Sequence, residues 1–391
     1  MRTAIVVGAG VGGLAAAGAL VRSGWHVTLV ERGDRLRGYG AAQFIWPNGV
    51  AALQALGLSL GDVAFPFATG GIRRPDGQWL VSSAPGVTGG STAGEPVVVH
   101  ADDLHDTLMA GLGERLEIRT SLEVTTLRLT GDRPAVGNAK HTFDADLIVA
   151  ADGGRSVLRR RLAPEASVAS TGYTAWRAVV PWFRSPAVQA NGEMLGAGHR
   201  FQHATLGERG GSASATRGGI YWVATVPGAQ RPESPAAQLA LLRRWFEGWQ
   251  SPVPELLEAT EPGDLVQQPG EELRSLPRRF GFPVGSGGVV LLGDAAHVAA
   301  PALSQGACLA LEDAATLAAV LRGGAPLSSA LDGYTLARRD RVARVAKASR
   351  RLGSVLQAQG LAARARDVAL GVSSGLLQRA SATATTWTPP A

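Results

Sequence analysis

Along its first thirty residues the chain shows short apolar runs that stop abruptly at small or acidic residues. Thr3 to Val7 is one such run, closed by glycines at 8, 10, 12 and 13; an alanine-rich stretch to about Arg22 follows, and a second run, His26 to Val30, stops at Glu31. Apolar runs this short, punctuated by glycine, read as buried strands, and the segment between them as a helix. The texture returns twice. Asp146 to Ala150 ends in Ala151-Asp152-Gly153, and Val289 to Leu292 ends in Gly293-Asp294. After the latter comes a Pro and small-residue loop, Val298 to Ser304, and then a helix-forming run from Gln305 through Ala315. In open α/β sheets ligands sit beyond the carboxyl ends of the strands, so such corners can converge on one ligand.

Between the corners the pattern changes. Gly40 to Leu56 reads as a small-residue strand, a Pro-Asn turn and a helix from near Gly49; Gly61 to Gly94 is rich in Gly, Pro and Ser, with a hairpin at Asp76-Gly77. Val97 to Val99 reads as a strand and Asp102 to Leu112 as a helix. Leu116 to Leu129 and His141 to Phe143 read as a β-meander with Asp132 to Lys140 as its surface turn. From Ser167 to Ser275 the alternation is period-two and aromatic, with a helix from Pro235 to Trp249, and five of the nine tryptophans fall there. That concentration predicts a second, sheet-based domain. Thr316 to Leu321 and Ala330 to Leu356 read as helices, the latter basic on its outer face, and the Ser, Thr and Pro-rich stretch Ser381 to Ala391 as a disordered tail. The expected fold class is α/β: a Rossmann-like domain from residues 1–75, 97–166 and 276–380, with C-terminal helices, and an inserted mixed-sheet substrate domain from 76–96 and 167–275.

Composition narrows the classes. With 391 residues and 45% hydrophobic content the chain can build real cores. No run of 18 apolar residues occurs and no cleavage signal follows the apolar start, so no membrane span is expected and a cytoplasmic location is. One cysteine, Cys308, excludes an internal disulfide framework and a thiolate zinc site, and no metal is expected. The net charge of +6 is spread over short clusters, Arg159 to Arg161, Arg278-Arg279 and Arg338-Arg339, which read as solvated surface. Without a contiguous basic face and stacking aromatics, nucleic acid is not a partner; small anionic ligands are, to a monomer or homodimer.

The first corner has the most specific chemistry. In Gly8-x-Gly10-x-x-Gly13 the first glycine allows a tight turn, the second lets a pyrophosphate approach backbone N–H groups, and the third lets helix pack on strand. Glu31, at the end of the next strand, is placed to accept from both ribose hydroxyls of an adenosine. A carboxylate there repels a 2′-phosphate, which leaves FAD or NAD for this site.

Taken together, GAGVGG with Glu31-Arg32, Asp152-Gly153-x-x-Ser156-x-x-Arg159, and Gly293-Asp294-Ala295-Ala296-His297 with Pro301 and Gln305-Gly306 resemble the single-component FAD-dependent aromatic hydroxylases, the class of p-hydroxybenzoate and salicylate hydroxylases. Gly172 to Pro181, GYTAWRAVVP, is similar to the salicylate hydroxylase and zeaxanthin epoxidase branch. The resemblance implies an FAD monooxygenase in which NADPH or NADH, docking transiently, reduces the flavin, molecular oxygen forms a C4a-hydroperoxide, and its distal oxygen passes to an aromatic or other electron-rich small molecule. It assigns to the cofactor Gly8, Gly10, Gly12, Gly13, Glu31, Arg32, Gln43, Asp152, Arg159, Asp294, Pro301, Gly306 and Ala307, with Asp294 on the ribityl chain and the following helix start at the flavin's pyrimidine edge. An epoxidase, a reductase of unsaturated molecules, and a flavin-binding protein without turnover are the competing readings.

For substrate contact the candidates are Arg177, His203 and Tyr221. Period-two alternation puts Tyr173, Ala175, Arg177 and Val179 on one strand face, with Thr174 and Trp176 on the other. Arg177 then either holds a carboxylate or phenolate or is an exposed edge residue; His203 and Tyr221 either touch substrate or fill the core. Gln43 and Trp46 either touch the ring or pack. Three positions depart from the family pattern: Ala101 stands where an Arg meets the adenosine half, leaving Arg32, Arg35 or Arg37 to substitute or FAD to bind more loosely; Ser304 stands for a common Gly; Cys308 stands for a frequent Asn, either as a small filler or as a thiol of lowered pKa.

Overall fold

The computed structural model describes residues 2–36, 40–67, 71–82, 95–110, 112, 115–188, 191–207, 217–373 and 375–390. Arg37, most of the expected 76–96 hairpin segment beyond Ser82, and Ala391 lie outside them. A six-stranded sheet runs in the order Gly281–Val284, Gly287–Leu291, Leu147–Ala150, Thr3–Val7, His26–Val30, Leu116–Arg119. Its pairings are parallel except for the hairpin of the first two strands. Leu147 to Ala150 and Val289 to Leu291 are wholly buried, as continuous apolar runs in a parallel sheet covered on both faces must be. The crossover helix Val11–Arg22 packs against the later helix Gly306–Arg322.

The meander is smaller than its sequence suggested. Leu116–Arg119 belongs to the main sheet, and Ala135–Gly137, expected as surface turn, is the buried central strand between Thr126–Arg128 and Thr142–Asp144. Gly137 makes that possible: a Cβ there would lie 2.0 Å from the His141 carbonyl oxygen.

A second sheet has seven strands, Val266–Leu273, Val168–Pro181, Gly219–Pro227, Arg200–Leu206, Gly192–Leu195, Ile72–Arg73 and Trp79–Val81 in that order. One face is covered by Pro235–Trp245 and by a helix the sequence reading lacked, Val253–Ala259. Trp176, Phe201, Trp222 and Phe246 fill that layer, with the Trp176 indole donating to Gln238 Oε1 at 2.9 Å and that of Trp222 to Thr260 Oγ1 at 3.0 Å. A three-stranded sheet, Ala42–Ile45, Val97–His100 and Ala64–Pro66, completes the β structure. The helix after its first strand begins at Pro47 rather than near Gly49, with proline in the first turn where its missing N–H costs nothing.

Three helices end the chain, Leu327–Leu356, Gly360–Val372 and Gly375–Thr385. The outer face of Leu327–Leu356 is basic as expected, with Arg344, Lys347, Arg350 and Arg351 exposed, but Arg338, expected on the solvated surface, is buried with Arg341 because Glu312 and Asp313 await them. The tail is also ordered as far as it is described: Ala380, Ala384 and Thr385 are buried and Trp387 packs on the main core. Among the described residues no helix is long and apolar enough to cross a membrane, and no His, Cys, Asp and Glu group could hold a metal ion.

Candidate active site

A cavity of about 810 Å³ lies between the carboxyl ends of the parallel strands and the uncovered face of the seven-stranded sheet. Its floor begins at the glycine turn. Gly8 has φ +102°, and a Cβ on Gly13 would sit 1.9 Å from the Gly8 carbonyl oxygen, so both positions need hydrogen as a side chain. A Cβ on Gly12 would meet Leu292 at 2.6 Å, whereas one on Gly10 would meet nothing within 4 Å and borders the cavity. Glu31, nearly buried, accepts from Ala9 N through Oε2 and from Gly33 N through Oε1, both at 2.9 Å. Those bonds fix the carboxylate and leave each oxygen a further acceptor site toward the cavity.

The second corner is built around Asp152. Its carboxylate accepts from Ser156 Oγ at 2.6 Å and from Val157 N at 2.8 Å, capping the helix Val157–Leu162. Asp152 borders the cavity. Arg159 does not; it is buried behind the wall and donates to the carbonyls of Gly154, Asp294 and Ala295, tying the second corner to the third. Burial lowers its pKa, partly opposed by Asp152.

At the third corner Asp294 opens on the cavity and is solvent-accessible there, yet protein surrounds it on its other sides. That desolvation raises its pKa, opposed by His297 and Arg159. His297 faces away from the cavity: Nε2 lies 2.6 Å from Asp313 Oδ2, which also accepts from Gly293 N at 2.8 Å, while Arg338 Nε donates to Asp313 Oδ1 at 2.6 Å. Burial alone would raise the Asp313 pKa, but His297 and Arg338 hold it below the usual carboxylate value. The helix Gly306–Arg322 starts at the cavity, with Pro301, Gly306 and Ala307 at its edge.

Ser304, just before that start, has φ +51°, a left-handed conformation that explains why glycine suits the position. Cys308 is a buried filler; its Sγ accepts from Trp46 N at 3.3 Å and burial pushes its pKa up to about 12. Ala101 and Arg32 border the cavity, while Arg35 does not.

The roof is the strand register made visible. Ala175, Thr225 and Arg200 are cross-strand neighbours, and so are Arg177, Val223 and Gln202; all six face the cavity. Tyr173 and Tyr221 border it too, and Gln43 and Gly40 come up from the floor side. Arg177 is half-buried, and its Nε has no hydrogen-bond partner among the described residues. Arg200, by contrast, is paired with Glu193 at 2.7 Å. Burial raises the pKa of Tyr221, with Arg177 and Arg200 opposing, and pushes that of Tyr173 up to about 12. His203 is not at the cavity. It lies on the opposite face from Gln202, against Gly192, because neighbours along a strand point to opposite faces. Arg200, Gln202, Thr225 and Tyr173 were not singled out from sequence as contacts, although alternation along RFQHATL and GIYWVATVP pairs them with the face that Arg177 and Tyr221 mark.

The residues present fit FAD. Glu31 has acceptor capacity for a ribose, the space above Gly10 is open for a pyrophosphate, and Asp294 offers an accessible carboxylate farther along the same floor. A family model described as an FAD binding domain matches residues 1–241 and 270–349. The chain is 33% identical over 370 residues to aurachin C monooxygenase/isomerase of Stigmatella aurantiaca, covering 91% of this chain and 90% of that protein. It is 32% identical to 3-hydroxybenzoate 6-hydroxylase of Klebsiella oxytoca over 93% of this chain and 91% of the relative. Among solved structures, Klebsiella pneumoniae HpxO complexed with FAD and uric acid matches with a TM-score of 0.81 and 26% identity, over 98% of this chain and 97% of that one. Glycine turn, paired carboxylate corners and full-length similarity agree: the chain belongs to the FAD-dependent aromatic hydroxylases and is a flavoprotein monooxygenase.

Proposed function

We propose that the protein hydroxylates a planar aromatic or heteroaromatic small molecule that bears an anionic oxygen, with NAD(P)H and molecular oxygen as co-substrates. The observation that carries this reading is Arg177, a guanidinium on the cavity face of the sheet whose buried Nε has no partner among the described residues. A buried donor without a partner is costly, so a bound ligand that accepts from it gains what the free protein lacks. Relatives are named for hydroxybenzoate and urate, both oxygen-bearing planar rings.

FAD, when bound, supplies the activation and transfer of oxygen. The chain supplies the rest. Glu31 would bind the adenosine ribose, the backbone at Gly10 the pyrophosphate, and Asp294 a ribityl hydroxyl. The N–H groups at Gly306 and Ala307, at the positive end of a helix, stabilise negative charge at the flavin edge. Gln43, Phe44, Ala175 and Val223 line the same cavity and would help to exclude water from a bound flavin. Tyr221 stays protonated at neutral pH, so it donates a hydrogen bond and does not act as a base. Arg177 lowers the pKa of a phenol bound beside it, so the substrate ionises without a protein base. The parallel-sheet part of the chain thus holds the cofactor and the seven-stranded sheet, which takes in Ile72–Arg73 ahead of the expected boundary at 75, chooses the substrate.

A panel of hydroxybenzoates, hydroxyquinolines and neutral isosteres tests the reading through substrate-stimulated NAD(P)H oxidation. Acceleration by the anionic members is the expected outcome; equal acceleration by neutral isosteres would contradict the role of Arg177.

A further inference from the structure

The C-terminal helix Gly375–Thr385 ends in an interaction that the cavity residues do not need for chemistry and yet reach through only a few bonds. Arg341 donates from Nη1 to Thr383 O at 2.6 Å and from Nη2 to Ala384 O at 2.5 Å. These are last-turn carbonyls, which have no partner within their own helix. The same guanidinium grips Glu312 twice, Nη2 to Oε1 at 2.8 Å and Nε to Oε2 at 3.2 Å. Glu312 Oε1 also accepts from Asn48 Nδ2 at 2.7 Å, and Asn48 Nδ2 donates to Gln305 Oε1 at 2.9 Å. Gln305 immediately precedes Gly306, where the helix at the cavity edge begins.

The helix also packs directly on the Pro301–Leu303 turn, whose Pro301 and Ala302 border the cavity, and on the helix Pro47–Ala55. All the charges concerned are buried. Glu312 and Asp313 face Arg338 and Arg341, two carboxylates against two guanidiniums, with His297 also on Asp313. Removing partners from such a set is costly, and its geometry is therefore fixed.

We propose that Arg341 is a positioning residue that makes the C-terminal helix a latch on the FAD floor: docking of 375–385 sets the helix start at Gly306 and the 301–303 turn in the arrangement that receives the cofactor. Arg341 touches neither FAD nor substrate; it acts through Glu312, Asn48 and Gln305. The inference rests on the reading that FAD occupies the cavity. A wild-type apoprotein that does not bind FAD refutes that reading, whereas normal binding with unaffected variants refutes only the latch.

Two variants keep the guanidinium-site charge while loosening the latch: a chain ending at Ser373, which lacks the carbonyl acceptors, and full-length Arg341→Lys, which cannot bridge Glu312 and both carbonyls. Apoprotein is titrated with FAD by flavin fluorescence, well below its melting temperature, and the visible circular dichroism of the bound flavin is recorded. The expected result is a Kd raised roughly tenfold in each, with an altered flavin dichroism and retained far-UV spectrum. A purely structural role lowers the melting temperature alone. Kd values within twofold of wild type, with an unchanged flavin spectrum, overturn the proposal. If the short chain does not fold, Arg341→Lys decides by the same two outcomes.

Discussion

Arg177 and His203 differ by a face of one sheet, and that difference is measurable. With its side chain on the cavity, Arg177→Ala is expected to raise the substrate KM roughly ten- to hundredfold, the loss of a hydrogen bond to a charged group at about 1.5–3 kcal/mol, with the flavin spectrum unchanged. His203→Ala, on the far face, is expected to leave KM alone and to lower the melting temperature. Steady-state kinetics on holoprotein separates the two; a KM effect at His203 would mean that the strand register is wrong. Asp294 is expected to show the opposite trade. In the empty protein Asp294 faces solvent in the open cavity, so Asp294→Asn costs the folded apoprotein little. Apoprotein of this variant should melt close to wild type while FAD binds at least roughly tenfold more weakly. Period-two alternation made the Tyr173 and Arg177 face legible in the sequence. Which face met the cavity was not, because that depends on the helices Pro235–Trp245 and Val253–Ala259 covering the other one, and the second of these has only seven residues.

Elements were most legible where geometry forbids alternatives. The glycine turn had one physical reading, and a pair of substitutions separates its parts. Gly10→Val places its side chain in open space and is expected to leave the fold intact while abolishing FAD binding; Gly13→Ala drives a methyl into the Gly8 carbonyl and is expected to cost roughly 3 kcal/mol of stability. Chemical denaturation and FAD titration of both variants check this, and equal stability losses would contradict it. Ala135–Gly137 shows the limit: three residues between polar neighbours give no period, and only pairing with two partner strands buries them. The tail shows another. Ser, Thr and Pro composition predicts disorder, but Arg341, 42 residues earlier than Thr383, supplies the carbonyl partners that order it.

At the scale of the whole molecule, the three corners meet because the sheet order brings Thr3–Val7, Leu147–Ala150 and Gly287–Leu291 side by side, and the buried ion set behind them holds the third corner. The runs of arginine read as surface in the sequence because charge alone does not reveal a partner that lies 25 residues away, as Asp313 does from Arg338. This set makes stability depend on pH. Asp313 is held below its unfolded value of about 3.9, so its contribution is complete above that pH and is lost as pH falls through the lower folded value. Urea unfolding from pH 6 down to pH 3 should show a steep loss below about pH 4, and Asp313→Asn, less stable at neutral pH, should flatten that slope; a parallel slope in the variant would contradict the assignment.

The central claim, oxygen insertion by FAD chemistry into an anionic aromatic held by Arg177, is tested most directly by turnover of the holoprotein under labelled dioxygen with the best substrate from the panel. A hydroxylated product carrying one labelled oxygen atom per NAD(P)H consumed is the predicted result. A product without label, or NAD(P)H consumed only to hydrogen peroxide with every anionic aromatic offered, would contradict it.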